Sequence, residues 1–230
     1  MHSSISILLQ IGLGIFFADL FTATGHWIED SYVDYCVDLP LVRDIAKDNE
    51  LHHYFPRSIL SYSYLEHISY TLPITLFFTI LLYLIKPSIF VNYPYFILVF
   101  FFSSILANIL HRFSHMRDCE NGWIVRTLQK CGIICSHEHH SLHHKGINQK
   151  YCSITEYSNY ILDTLCFWYG LEYIIYQLTG LTPTRNKSYD QYTEIHNYMH
   201  ENSTLTCPDK PTREDVEILK QKLKNYKQCY

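Results

Sequence analysis

Charge of either sign is scarce in this sequence: 18 Lys and Arg face 22 Asp and Glu over 230 residues, a net charge of -4. No basic field covers the chain, which argues against a nucleic acid as partner. There is no glycine-rich phosphate loop and no internal repeat, so neither a nucleotide-binding turn nor a solenoid is indicated. No CxxC pair occurs either. The eight cysteines are scattered at 36, 119, 131, 135, 152, 166, 207 and 229, which excludes a disulfide scaffold and points to reduced, buried thiols. Cys131 and Cys135 stand four apart and are candidate extra metal ligands, with packing the preferred reading. A cleavable signal peptide is not expected, because "MHSSIS" carries no positive n-region and "ATGHW" is an awkward cleavage site.

Apolar residues are plentiful, at 48% hydrophobic and 16% aromatic, enough to exclude overall disorder. They concentrate in three runs, 5–22, 70–85 and 95–110. These approach the ~17–25 residues needed to cross a bilayer. The second and third are joined by "KPSIFVNYP", too short to hold a domain, and read as a transmembrane hairpin; the alternative is a buried hairpin in a soluble protein. Asp19, late in the first run, favours that alternative or marks a functional polar group at the membrane face. A fourth stretch, 159–178, is interrupted by Asp163 and Glu172, so it is a possible fourth span or an interfacial segment. The class expected is an all-α, multi-span membrane protein.

A hairpin returns the chain to the side it left, so the histidine-rich blocks 25–69 and 111–158 face one compartment. Arg43, Lys47, Arg57, Arg112, Arg117, Arg126, Lys130, Lys145 and Lys150 lie there, against Lys86 alone in the turn. Positive residues mark the cytosolic side. Beyond residue 183 the composition turns polar. Within this tail, 212–226 is expected to form a solvated surface helix with Thr212 as N-cap, acids early and lysines late.

Histidine carries the chemistry. The stretch "SHEHHSLHH" at 136–144 crowds five imidazoles into nine residues, and neutral imidazole is the commonest protein metal ligand. At about 100° per helical residue, His139, His140, His143 and His144 fall within one arc of roughly 140°. His111 and His115 repeat the i,i+4 device, His26 and Asp30 share it, and His52 and His53 form an adjacent pair. Nine of the 14 histidines thus lie in four clusters beside or between the apolar runs. Nine nitrogens exceed one coordination sphere and suit two ions, each keeping an open position. Imidazole accepts iron, zinc and copper alike; the location against a lipid interior favours two irons performing oxygen chemistry on an alkyl chain. This is the expected cytosolic, histidine-rich di-iron cap.

These pieces resemble the Kua or CarF-like membrane lipid desaturases, whose animal members are plasmanylethanolamine desaturases. The likeness covers about 17–183. It rests on "ADLFTATGHWIEDSY" (18–32), "HHYFP" (52–56), "NILHRFSH" (108–115), "HHSLHH" (139–144), "YCSIT" (151–155) and "NYILDTLCFWYGLEYIIYQLTGLTP" (159–183). The resemblance implies a desaturase domain over 1–183 and a multi-pass enzyme of the endoplasmic reticulum membrane with its histidines facing the cytosol. It implies conversion of a 1-O-alkyl ethanolamine phospholipid to the vinyl-ether plasmalogen. O2 would be cosubstrate, with electrons from cytochrome b5 and its reductase. By position, His26, His52, His53, His111, His115, His139, His140, His143 and His144 become iron ligands. Asp30 and Asn108 become candidates for metal support or ligand orientation.

Two positions depart from the family pattern. Tyr62 stands where members carry another histidine, which leaves three readings: that position is no ligand, His67 replaces it, or activity is altered. Val33 and Asp34 occupy the place of a subfamily glycine. Rival readings are an acyl-chain desaturase or hydroxylase with the same centre, an inactive relative, and a divalent-metal transporter, which would place histidines inside the spans. Glu194, His196 and His200 have zinc-like spacing in the polar tail, but coincidence is the preferred reading.

Overall fold

The computed structural model describes residues 3–33, 39–145, 148–183 and 212–226. Among them there is no strand, and the all-α expectation holds. The chain divides into two compact units, Met1–Gly25 with Ser63–Leu165, and His26–Tyr62 with Cys166–Tyr230.

The first unit is built on three long apolar helices: α1 (Ser4–Tyr32, whose last turns belong to the second unit), α3 (Tyr64–Ile85) and α5 (Pro94–His115), with the short α4 (Ser88–Asn92) in the turn. All three are long and apolar enough to cross a membrane. At 22 residues each, α3 and α5 rise about 33 Å, matching a hydrocarbon core of about 30 Å. The faces of α3 are correspondingly bare, with Leu84 71% and Ile85 70% exposed. In a membrane those side chains lie against lipid.

Local signals set the ends. Ser63 caps α3 by accepting the Glu66 N–H, and the Glu66 carboxylate accepts the Ser63 N–H in return. Pro94 sits in the first turn of α5, where its missing N–H costs nothing. Within the hairpin, the Thr71 hydroxyl donates to the Ile105 carbonyl at 2.6 Å. The first part of α1 packs on α5 through Phe17–Phe96 and Phe21–Phe100 ring contacts. Gly14 permits that approach, since a Cβ there would stand 2.9 Å from the Phe96 carbonyl oxygen.

Past α5, the chain forms α6 (Trp123–Lys130), α7 (His137–Lys145) and α8 (Glu156–Thr164). The Phe113 carbonyl near the end of α5 receives N–H groups from Asn121 and Gln129, and Gln129 also donates to the Cys135 carbonyl. These bonds satisfy a helix-terminal carbonyl and lock the connection that delivers α7. Asp19, fully buried on α1, accepts from the Ile154 N–H, the Thr155 N–H and the Thr155 hydroxyl. Its role here is to hold the 151–155 loop.

The second unit contains the end of α1, α2 (Pro40–Tyr54), a 3-10 turn (Pro56–Ser61), α9 (Phe167–Thr179) and α10 (Arg213–Tyr226). The Trp27 and Trp168 rings lie 5.8 Å apart, tilted by 31°, and the Trp27 indole donates to the Glu172 carboxylate at 3.1 Å. The fourth apolar stretch does not form one helix: Cys166 adopts a left-handed conformation (φ 50) and separates α8 from α9. With 13 residues, α9 rises only about 20 Å, too short to cross. Exposed Tyr169, Tyr173 and Tyr176 suit an interfacial position.

Candidate metal centre

The three long helices extend beyond the apolar runs, so histidines ride on the same rods as the spans. In the first unit, His111 and His115 occupy the last two turns of α5, and α7 brings His140 and His144 against them. One ring nitrogen from each of these four lies within 4.8 Å of the others. His111 Nε2 stands 2.8 Å from His140 Nε2 and 3.1 Å from His115 Nε2. Two imidazoles bound at about 2.1 Å to one ion, at right angles, stand about 3 Å apart, so these separations fit a shared metal ion.

Electrostatics favour the ligand form. His140 is completely buried. Burial first, then the neighbouring imidazoles of His111, His115, His144 and His143, push its pKa well below the ordinary histidine value. It stays neutral at physiological pH, with a lone pair to offer.

The other two α7 histidines are turned elsewhere. His143 Nδ1 donates to the Gln149 carbonyl at 2.8 Å, which fixes the tautomer and leaves Nε2 as the acceptor nitrogen. His139 Nε2 lies 3.2 Å from the Asn159 amide nitrogen, and its Nδ1 faces the Glu156 carboxylate at 3.7 Å. Burial, then Lys150, lowers its pKa. Glu156 also accepts the Ser136 hydroxyl and N–H, while the Ser136 oxygen accepts the His139 N–H at the start of α7. Asn159 and Glu156 hold His139 and the start of α7, contacts that sequence reasoning missed; "YCSIT" and "NY" flag their neighbourhood but not their partners. Asn108 is half-buried on α5, one turn before His111.

In the second unit, His26 and Asp30 sit one helical turn apart at the end of α1, and α2 contributes His53; their ligand atoms also lie within 4.8 Å of one another. Asp30 Oδ1 is 2.9 Å from His53 Nε2 and accepts the Asn49 amide at 2.8 Å, while Oδ2 is 3.8 Å from His26 Nε2. Burial pulls the His53 pKa down, but the Asp30 charge and hydrogen bond outweigh it, and the net shift is upward. A carboxylate flanked by two imidazoles is a divalent-cation donor set as well as an ion-pair cluster. His52 is buried on α2, its ring 6.1 Å from that of His53.

Tyr62 is engaged in structure: its hydroxyl donates to Asp48 at 2.6 Å, and the Arg213 guanidinium lies 4.0 Å over its ring. Within their own units, therefore, His111, His115, His140 and His144 converge, as do His26, Asp30 and His53. His139 belongs to neither set. The Glu194, His196, His200 trio lies outside the described residues.

Long apolar helices together with histidine clusters able to hold metal define a class of membrane protein. Comparison with known proteins supplies the family: the lipid desaturase domain matches residues 15–186, and the chain belongs to that family. It is 30% identical over 195 residues to a probable fatty acid desaturase of Acanthamoeba polyphaga mimivirus, covering 79% of this chain and 88% of that one. It is 27% identical over 186 residues to plasmanylethanolamine desaturase 1 of Mus musculus (77% and 68%). Against the chloroplastic fatty acid desaturase 4-like 2 of Arabidopsis thaliana it is 26% identical over 171 residues (74% and 60%). No solved structure matches. The protein is thus an oxidoreductase, a membrane lipid desaturase with a histidine cluster able to hold metal.

Proposed function

We propose that this desaturase converts the 1-O-alkyl chain of an ethanolamine phospholipid to the vinyl ether of a plasmalogen, using two irons, O2 and electrons from cytochrome b5 and its reductase. The observation that carries the metal half is the set of four imidazole nitrogens on α5 and α7, buried and within 4.8 Å of one another. When bound, the irons would supply reduction of O2 and the oxidising power to break unactivated C–H bonds. The substrate loses two hydrogens, and with two electrons and two protons O2 leaves as two waters.

The remaining work belongs to side chains. His26, His52, His53, His111, His115, His139, His140, His143 and His144 are the proposed ligands. Asp30 supports His53 and His26, and the Gln149 carbonyl holds the His143 ring in one tautomer. Asn108 is proposed to orient α5 ligands. The exposed apolar faces of α3 and α5 would keep the alkyl chain in hydrocarbon beside the cluster. The location proposed is the endoplasmic reticulum membrane with the histidines towards the cytosol, supported by the Lys and Arg bias, and residues 1–183 are the proposed desaturase domain.

The ether-lipid substrate is supported by likeness to the mouse enzyme. A second reading, desaturation of an acyl chain, is favoured by the mimivirus and Arabidopsis relatives. Lipid mass spectrometry of plasmalogen-deficient cells expressing the chain separates them. Vinyl-ether lipid is expected to return; a new acyl double bond without it would establish the second reading, and a gain of oxygen would indicate a hydroxylase.

A further inference from the structure

We propose that α10 is a clamp that positions the histidine-bearing helix α2, acting through the Asp48–Tyr62–Lys220–Arg213 contact. The helix lies beyond the 15–186 segment matched by the desaturase domain and carries no histidine, so it acts on the site only through what it touches.

Sequence predicts a solvated amphipathic helix here, but one face is fully covered. Val216 and Leu219 are 1% exposed, and α10 packs on α2 and the 3-10 turn. Its start is self-contained: the Thr212 oxygen accepts the Asp215 N–H, and the Asp215 carboxylate accepts the Thr212 N–H and hydroxyl. From that rigid base, Lys220 reaches Asp48 at 2.8 Å, Asp48 accepts the Tyr62 hydroxyl at 2.6 Å, and Arg213 covers the Tyr62 ring at 4.0 Å.

Asp48 is four residues before His52, so the two share a face of α2 one turn apart. Helix α2 starts on Pro40 without a side-chain cap from Leu39. Rotation of α2 about its axis would swing His52 and His53 together. The contact with α10 fixes that rotation at one turn's distance. Tyr62, in this arrangement, is the socket for the tail rather than a ligand.

The inference rests on the proposed metal role of His52 and His53, and the test separates the two. Lys220→Glu, Asp48→Lys and the double charge swap are compared with the unaltered full chain in two measurements. Hydrogen exchange of 40–54 reads the clamp without metal, and iron titration against a chelator reads positioning. Each single variant is expected to speed exchange across 40–54 and weaken iron binding about tenfold, the lower scale for removing a support behind ligands. The swap is expected to restore most of both. Unchanged exchange overturns the clamp, whatever iron does. Faster exchange with iron affinity kept overturns positioning and leaves α10 as packing only. Should the unaltered chain bind no iron, the metal reading fails while exchange still decides the clamp. Arg213→Ala, which keeps the ion pair, is expected to give a smaller change in the same direction and guards against a variant that does not fold.

Discussion

Replacing Asp30 is the most direct way to interrogate the second-unit histidines. Its carboxylate accepts from Asn49 at 2.8 Å, stands 2.9 Å from His53 Nε2 and 3.8 Å from His26 Nε2, so one group governs two proposed ligands. Asp30→Asn keeps the shape and removes the charge; Asp30→Ala removes both. Losing a partner that orients a metal-bound imidazole costs about 10–100-fold in metal affinity, equivalent to about 1.4–2.8 kcal/mol. The Asn variant is expected near the lower figure and the Ala variant near the upper. Asn49→Ala removes one donor to Asp30 and is expected to cost less than either. The assay is iron per chain by elemental mass spectrometry across a chelator series, with melting curves recorded with and without iron. Metal bound only by the native state adds about 2.7 kcal/mol at a hundred-fold excess over Kd, so the gap between the two curves should shrink in step with affinity. Iron affinity for Asp30→Ala within twofold of the unaltered chain, with the fold intact, would refute the assignment of this cluster to metal.

Asp19→Ala is expected to cost about 2 kcal/mol or more, because it strands two buried backbone N–H groups, each worth about 1–3 kcal/mol unsatisfied, while the Thr155 hydroxyl keeps Ser158 as a partner at 3.3 Å; a thermal midpoint close to that of the unaltered chain would show the 151–155 loop to be held by other means. Burial first, then nearby carboxylates, raise the thiols of Cys135 and Cys152 well above their ordinary range. Their contribution to stability is therefore complete below the unfolded thiol value of about 8.5 and is lost as pH climbs above it towards the folded values. The measurement is denaturant midpoint against pH for the metal-free chain, with Cys135→Ala expected to lessen the alkaline fall. At neutral pH, iodoacetamide should label exposed Cys119 and Cys131 and spare Cys135 and Cys152; equal labelling would contradict their burial.

How much of this was readable from the chain depends on the range of the interaction involved. The i,i+4 pairs His111/His115, His140/His144 and His26/Asp30 are local facts of helical geometry, and they meet as spacing predicts. Within the α7 arc, adjacent helical positions point about 100° apart. The 139/143 and 140/144 pairs thus form two faces, one meeting α5 and the other held by Asn159 and Gln149. No local rule finds Asn159, 20 residues from His139, or Asp19, 136 residues from Thr155, because only tertiary packing pairs them. The apolar stretch 159–178 misleads in the opposite sense. Composition averages over a left-handed Cys166, and one reversed residue is enough to turn a candidate span into two short helices. The tail shows the same limit: Thr212 and Asp215 announce where α10 starts, whereas the burial of Val216 and Leu219 depends on the surface that α2 and the 3-10 turn present. Residues that repeat with the helix announce themselves; residues that bridge distant segments must be sought through the polar groups that burial obliges them to satisfy.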